Sequence, residues 1–220
     1  MSATASGPST TTQHALDALR RAIVAGELRP GSRIGQDEFA GQLGVSIAPV
    51  REALRILEQE GQVTYLPRRG YFVTALEIAD LEEIYALRAV LESRAARHTV
   101  ANLDDLGMER IVLAATDFVN AVDTADVAAE LEANRRFHLT ILDSPDHPHT
   151  MRMIRQLWDS TEAYRALYYN LPEERHSAVA AHDRILQALS DRNAVRLVNE
   201  LDAHRERALT VLRQVLAPAA

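Results

Sequence analysis

The chain has 220 residues, 47% hydrophobic and 25% charged, and no apolar run approaches the roughly 18 residues of a membrane helix, so the composition is that of a globular protein of one or two domains. It contains no cysteine, which excludes disulfides and thiolate metal sites. The net charge is −7 and is unevenly divided: positions 1–75 hold 8 Arg and 7 acidic residues, and 76–220 hold 16 Arg and 24 acidic residues. This acidic balance argues against a protein that coats DNA non-specifically, but it allows a sequence-specific binder with a local basic patch.

The first twelve residues are rich in Ser, Thr and Ala and hold neither a basic start nor an apolar core. They do not have the form of a signal peptide, and we predict a disordered tail over residues 1–12. Two domains follow in this prediction, over residues 13–75 and 76–217. We expect a cytoplasmic protein with no membrane partner.

A helix-turn-helix pattern begins after residue 35. The sequence predicts a short helix over 36–43 that stops at Gly44, which can adopt the left-handed backbone of a tight turn. Ser46 suits the N-cap of a second helix because its hydroxyl can accept from free amides of the first turn. Pro49 falls within that turn, where its missing N–H costs nothing, and Gly61 ends the helix.

The second helix has one apolar face and one basic face. Arg51 and Arg55 lie four residues apart and can point outward together. The opposite face carries apolar residues at helical spacing, and these are Val50, Ala53, Leu54 and Leu57.

Two short β-like runs, 63–65 and 71–73, follow the helix and are joined through a turn that contains Arg68, Arg69 and Gly70. Together the elements predict a winged helix-turn-helix with a small β-hairpin wing. In that geometry one helix enters a major groove and the wing contacts an adjacent groove or the backbone.

The rest of the chain has a helical pattern throughout. Asp80 can start a helix that carries Leu81, Ile84, Leu87 and Leu91. Further helices are predicted over 104–123, 125–142, 149–169, 173–189 and 194–216. The fold class is therefore mainly α, with the winged helix-turn-helix followed by an all-α six-helix bundle whose interior can hold a site.

Polar residues on three of these helices are candidate metal ligands. Asn134 and His138 lie four residues apart, so both side chains leave one face of their helix, and His182 and His204 lie on two others. Imidazole together with an amide oxygen suits Zn, Ni, Fe or Mn. The alternative is that these histidines are core polar residues held by hydrogen bonds or water.

Residues 14–74 resemble the DNA-binding domain of the GntR family of bacterial regulators. The matching pieces are Gly-Glu-Leu-Arg-Pro-Gly at 26–31, Leu-Gly-Val-Ser at 43–46, Pro-Val-Arg-Glu-Ala-Leu at 49–54 and Arg-Gly-Tyr-Phe-Val at 69–73. The remainder, 78–215, resembles the helical FCD effector domain of the FadR subfamily. The expected DNA-contacting residues are Ser46, Ile47, Pro49, Arg51, Arg55, Arg68, Arg69 and Gly70.

Two positions depart from the family pattern, because Asp37 and Ile47 stand where relatives often have arginine. Ile47 is therefore either a lost contact or part of a changed operator preference, through apolar contact with a thymine methyl group.

The same resemblance implies a divalent metal held by Asn134, His138, His182 and His204, with Zn as the first expectation and Ni, Fe or Mn as alternatives. Asn in place of Asp removes one negative charge. Arg88 matches a family arginine near the effector cavity and is expected to bind a carboxylate. The alternative for Arg88 is an ion pair with Glu92 one turn along the helix.

The resulting hypothesis is a non-enzymatic transcriptional regulator, a repressor, that binds a pseudo-palindromic DNA operator as a homodimer. A small carboxylate metabolite bound at the metal and Arg88 would control operator affinity. Two alternatives stay open at this point. One is a metalloenzyme that acts on a small acid, and the other is a sensor of the metal ion itself.

Overall fold

A computed structural model describes residues 10–124, 126–169 and 171–216. The chain divides into two compact units, Met1–Ala75 and Leu76–Ala220, which are described separately below. Residues 1–9 of the predicted tail lie outside the described residues. Residues 10–12 were expected to be disordered and instead form the first turn of a helix, α1. Thr12 is buried there, and its hydroxyl donates to the Glu52 carboxylate.

The first unit contains α1 (Thr10–Val24), α2 (Gln36–Leu43), α3 (Ile47–Gln59), β1 (Val63–Leu66) and β2 (Gly70–Val73). Gly44 ends α2 in the left-handed region, with φ of 66°, as its position in the sequence predicts. Ser46 is the N-cap residue of α3, but its hydroxyl makes no capping hydrogen bond, which differs from the sequence prediction. The apolar face of α3 is buried as predicted, through Val50, Ala53, Leu54 and Leu57.

The wing is the antiparallel pair β1–β2, in which Val63 pairs with Val73 and Leu66 pairs with Gly70. Each strand is therefore one residue longer than its predicted run. Arg68 has a φ of 64° and Gly70 a φ of 95°, so the turn between the strands is tight. An isolated bridge between Arg33 and Phe72 adds a third extended segment to the wing.

The second unit is an all-α bundle, as predicted. Its described residues form seven helices: α4 (Ile78–Asn102), α5 (Asp105–Thr124), α6 (Val127–Leu142), α7 (Pro148–Ser160), α8 (Glu162–Tyr169), α9 (Pro172–Ser190) and α10 (Ala194–Val215). The count exceeds the predicted six because the helix expected over 149–169 is interrupted at Thr161. The hydroxyl of Thr161 lies within hydrogen-bond distance of the carbonyls of Leu157 and Trp158 and satisfies the end of α7.

The main core of the bundle lies between α4, α5, α6, α7, α9 and α10, with Phe137 and Trp158 fully enclosed. Leu87 does not join the buried face predicted for α4, since 47% of its surface is exposed. None of the described helices is both long and apolar enough to cross a bilayer.

Substitution of Gly41, within α2, and of Gly44, which ends it, tests the turn between α2 and α3. A methyl group at Gly41 or at Gly44 would meet no heavy atom within 4 Å, so a change to alanine alters only backbone preference. Gly44→Ala should destabilise the first unit by about 1–2 kcal/mol, because L-residues disfavour a positive φ. Gly41→Ala, in an ordinary helical position, should stabilise it by about 1 kcal/mol. Scanning calorimetry of the full chain measures both, and equal shifts in the same direction would contradict the assigned turn.

Candidate functional site

The basic face of α3 is open to solvent. Arg51 and Arg55 are exposed, and Arg51 Nε makes a weak hydrogen bond of 3.5 Å with Gln36 Oε1. Ser46 is exposed at the start of the helix, while Ile47 and Pro49 are half-buried within its first turn. Four of these predicted DNA-contacting residues therefore lie at the N-terminal end of α3, and Arg55 lies one turn beyond Arg51.

The tip of the wing presents a second basic surface. Arg68 and Arg69 are exposed, and the Arg69 guanidinium lies 5.2 Å from the centre of the Phe72 ring. Arg33, which the sequence analysis did not single out, donates from Nε to the Arg69 carbonyl at 3.0 Å and lies beside Gly70. Arg33 thereby stabilises the turn between β1 and β2 and adds a third cation to this surface.

In the second unit, His138 from α6, His182 from α9 and His204 from α10 converge, and we call them the histidine trio. One ring nitrogen of each lies within 4.8 Å of the others. The Nε2 atoms of His138 and His182 are 3.2 Å apart. Two nitrogens that bind one tetrahedral Zn²⁺ at its usual bond length lie roughly 3.3 Å apart, so this pair already has the spacing of ligands to a shared ion.

Burial keeps the trio uncharged. The pKa of His138 and that of His182 lie well below the usual histidine value because their rings are removed from water, and because the neighbouring imidazoles and Arg165 repel a proton. Burial, the largest cause, and the charges of Arg165, Arg88 and Arg205 lower the pKa of His204 to about 3. Neutral imidazole is the form that binds a metal, so its lone pairs are available at pH 7.

Asn134 supplies a fourth candidate ligand one turn before His138. Its Oδ1 atom is buried and has no hydrogen-bond partner among the described residues, and the same is true of Nδ1 of His182. Buried polar atoms without partners are uncommon and call for an explanation such as an ion or a water. An oxygen and three imidazole nitrogens on one side of a closed interior fit a divalent cation.

Arg88 takes part in a buried ion network on α4. Its Nε donates to Glu92 Oε1 at 2.8 Å, which is the alternative considered for this residue in the sequence analysis. Glu92 also accepts from Arg205 and from the indole N–H of Trp158. Burial opposes the charge on Glu92, but Arg88 and Arg205 outweigh it, and the pKa of this carboxyl lies below its usual value.

Arg165 on α8 is a site residue that the sequence analysis missed. It is 5% exposed, and its guanidinium lies 4.1 Å from the centre of the Trp158 ring. Nothing among the described residues hydrogen-bonds to its Nη2 atom, and no described carboxylate forms an ion pair with it. Burial lowers the pKa of Arg165 to about 10, so it is charged at pH 7. No local signal marks it, because the break at Thr161 decides where α8 points.

All of these groups except His182 line one cavity. Asn134, His138 and His204 line it together with the buried arginines and aromatic side chains, including Arg88, Arg165, Trp158 and Tyr169. The free space is about 30 Å³, which holds one or two water-sized groups. A ligand larger than that can enter only if the side chains around it move.

Comparison with family models matches both units. Residues 11–73 match the model described as bacterial regulatory proteins, gntR family, and residues 83–207 match the FCD domain model. Together the two models cover most of the chain.

Individual relatives agree with the models. The chain is 26% identical to the HTH-type transcriptional regulator YdhC of Bacillus subtilis, over 90% of this chain and 89% of that protein. It is 30% identical to the HTH-type transcriptional regulator BphR of Paraburkholderia xenovorans, over 89% and 82% of the two chains. The solved structure of Escherichia coli McbR/YncC superimposes with a TM-score of 0.80 at 26% identity, covering 94% of this chain and 98% of that one.

The lowered histidine pKa values predict how acid affects the metal-free protein. Unfolded histidine takes up a proton near pH 6.5, but the folded trio does not. The unfolded state therefore binds more protons as the pH falls below about 6.5, and the folded state loses stability by about 1.4 kcal/mol per pH unit for each histidine.

His138→Gln removes one of these groups and should flatten the pH dependence by about one proton. Urea unfolding of chelator-treated protein, followed by Trp158 fluorescence between pH 7 and 5, measures the slope. Identical slopes for the variant and the wild type would show that His138 titrates normally in the folded state.

Proposed function

The chain belongs to the GntR family of bacterial DNA-binding transcriptional regulators and carries an FCD effector domain, and from this premise we propose that it is a homodimeric repressor. Its affinity for its operator would fall when a small carboxylate binds beside a metal in the second unit. Members of the family are transcriptional regulators rather than enzymes. The observation that supports the effector most directly is the buried, unpaired Nη2 of Arg165 next to the histidine trio.

The DNA-contacting role of the first unit is supported by the exposure of its arginines. Arg51 and Arg55 project from α3, and Arg68 and Arg69 project from the wing. Arginine donates two parallel hydrogen bonds to guanine, which suits the α3 residues, whereas phosphate contact suits the wing. Ile47, half-buried at the start of α3, offers an apolar surface for a thymine methyl group. In a homodimer, two copies of this surface would bind a pseudo-palindromic DNA operator in the cytoplasm of a bacterium.

Replacement of one arginine tests the groove assignment. Arg51→Ala should weaken binding to the operator by about 1–3 kcal/mol, because a base contact is lost. Arg21→Ala, which removes an exposed arginine on α1, is the matched control and should leave affinity unchanged. Fluorescence anisotropy at about physiological salt, with duplex from upstream of the gene and a scrambled duplex, measures both. Wild-type affinity in Arg51→Ala would mean that α3 does not read the groove through this residue.

For the metal we propose Asn134, His138, His182 and His204 as ligands. A bound divalent ion, with Zn²⁺ the first expectation and Ni, Fe or Mn the alternatives, would supply a positive centre for a carboxylate oxygen. Asn134 contributes oxygen without charge, and the three imidazoles are neutral. The ligand set therefore leaves the full charge of the ion uncompensated, which favours an anionic ligand in the remaining position.

The arginines around the cavity favour the same kind of ligand. Arg88, Arg165 and Arg205 are buried near one another, and Glu92, together with Asp202 beside Arg205, neutralises only two of the three charges. Arg88 is already held by Glu92, so Arg165 is the cation with donors to spare. A planar guanidinium with free N–H groups is well suited to a carboxylate. We therefore assign the main contact to Arg165, with Arg88 at the edge of the same cavity.

The small cavity supports a link between binding and response. Because its free space is about 30 Å³, an acid of several carbon atoms must displace lining side chains when it enters. Such a ligand prefers a rearranged state of the bundle, and a preference of about 1–3 kcal/mol is enough to shift DNA affinity between five- and 150-fold. Loss of operator affinity on binding is the behaviour of a repressor that responds to its effector.

The effector site is tested with variants that separate loss of metal binding from loss of carboxylate binding. Arg165→Met should retain the metal, measured by elemental analysis, but lose carboxylate binding by at least about tenfold, because a charge-assisted hydrogen bond is removed. His138→Ala should lose both. His176→Ala removes an exposed histidine outside the cavity and should lose neither. Calorimetric titration with a panel of small mono- and dicarboxylates provides the binding measurement.

Two results would redirect the proposal. If the chain purified without chelator held no metal and bound the acids all the same, the histidine trio would be a hydrogen-bonded core cluster. If instead the ion exchanged readily and its removal alone released DNA, the metal itself would be the signal.

A further inference from the structure

The outward face of α4 carries apolar residues between charged ones. Residues at alternating spacings of three and four form an exposed row, which we call the outer stripe, and its members are Asp80, Glu83, Leu87, Val90, Arg94 and Arg97. Val90 is 70% exposed and Leu87 is 47% exposed. This spacing is that of a helix seam which packs against a second helix.

The stripe has an ordered charge pattern. Its N-terminal end is acidic, its centre is apolar and its C-terminal end is basic. Glu83 and Arg94 form no ion pair with any described residue of the chain. Compensation of the helix dipole does not explain the pattern, because that effect is confined to the first and last turns, and both residues lie further in.

We propose that the outer stripe of α4 is the homodimer interface, formed by antiparallel packing of α4 against α4 of a second copy across a two-fold axis between residues 88 and 89. In such a pair, residues at equal distances from the axis on opposite sides face one another. Leu87 then meets Val90 of the second copy, Glu83 meets Arg94, and Asp80 meets Arg97. Every pair is complementary, and the axis repeats each one twice.

A second copy fits this surface better than an unrelated protein does, because the pattern is complementary to itself. A second exposed apolar surface of the bundle lies on α5, through Leu106, Val112, Leu113 and Val119. Antiparallel pairing of α5 about the midpoint of this apolar surface, between residues 112 and 113, also matches apolar residues, but it places Glu109 opposite Thr116 and Asp105 opposite Asn120. It therefore offers no opposite charges to specify partner or register, and we assign the dimer to α4.

The proposal rests on the homodimer of the proposed function and deepens it, because α4 also carries effector-site residues. Arg88 and Glu92 lie on the buried side of the helix, and the outer stripe lies on the opposite side, since successive residues turn by about 100°. A ligand that displaces Arg88 or Glu92 would act on the helix that forms the interface. The effector cavity and the dimer contact would then be separated by the width of one helix.

Charge reversal tests the pairing. Glu83→Arg and Arg94→Glu each place like charges opposite one another twice, and should raise the dimer dissociation constant by about tenfold or more. Both side chains are exposed, so each variant should keep the circular dichroism and melting temperature of the wild type. Leu113→Arg on α5 is the matched control and should dimerise normally. Sedimentation of the full chain without DNA or effector measures each dissociation constant.

Mixing the variants gives the decisive result. When E83R and R94E chains are mixed in equal amounts, a mixed dimer has opposite charges in both pairs. Its dissociation constant should therefore return to within about threefold of that of the wild type. The double variant E83R/R94E should recover in the same way. Unchanged dimerisation of the single variants, or no recovery in the mixture, would overturn the proposal. So would loss of the dimer in L113R. These measurements contain neither DNA nor ligand, so their failure is distinct from a failure of the operator or effector assignments.

Discussion

Glu92 is the charge on which the second unit depends. It is 1% exposed and accepts hydrogen bonds from Arg88 on its own helix, from Trp158 on α7 and from Arg205 on α10. A buried carboxylate is tolerated only with such partners, and removal of one partner from a buried pair costs about 3–5 kcal/mol. This constraint fixes the rotation of three helices at once. It also directs one side of α4 toward the cavity and leaves the other side to solvent.

The same network is the basis for proposing an anionic ligand in the cavity. Glu92 pairs with Arg88 and Arg205, and Asp202 also pairs with Arg205, so of the three buried arginines only Arg165 has no carboxylate partner among the described residues. The nearby imidazoles are held neutral by burial and by the arginines themselves. Arg165 is held in place by the aromatic face of Trp158 rather than by an acid. The positive charge of Arg165 is therefore uncompensated by any described carboxylate, and the proposed anion would have to move the side chains packed around it in order to bind.

The two units show different relations between sequence and structure. In the first, local rules were sufficient: Gly44, the spacing of the α3 apolar face and the wing turn all appear where the sequence predicts them. The exceptions are small. Ser46 occupies the N-cap position without a capping bond. The helix α1 includes the last three residues of the predicted tail, where Thr12 finds a partner in Glu52, 40 residues along the chain.

By itself, the sequence determined the mainly α fold class, the winged helix-turn-helix and the helical second unit, because helical period and glycine turns are local properties. It also supplied the side chains that we propose as metal ligands, through their chemistry and the family resemblance. Only the tertiary structure decided which of those side chains meet. Thr161 divides the helix that the sequence pattern predicted over 149–169. That break directs Arg165 into the cavity, although no local sequence pattern marks Arg165. Glu92 draws Arg88 inward and leaves Leu87 exposed, because a buried charge must find partners on other helices, and their distance along the chain is invisible to any local pattern.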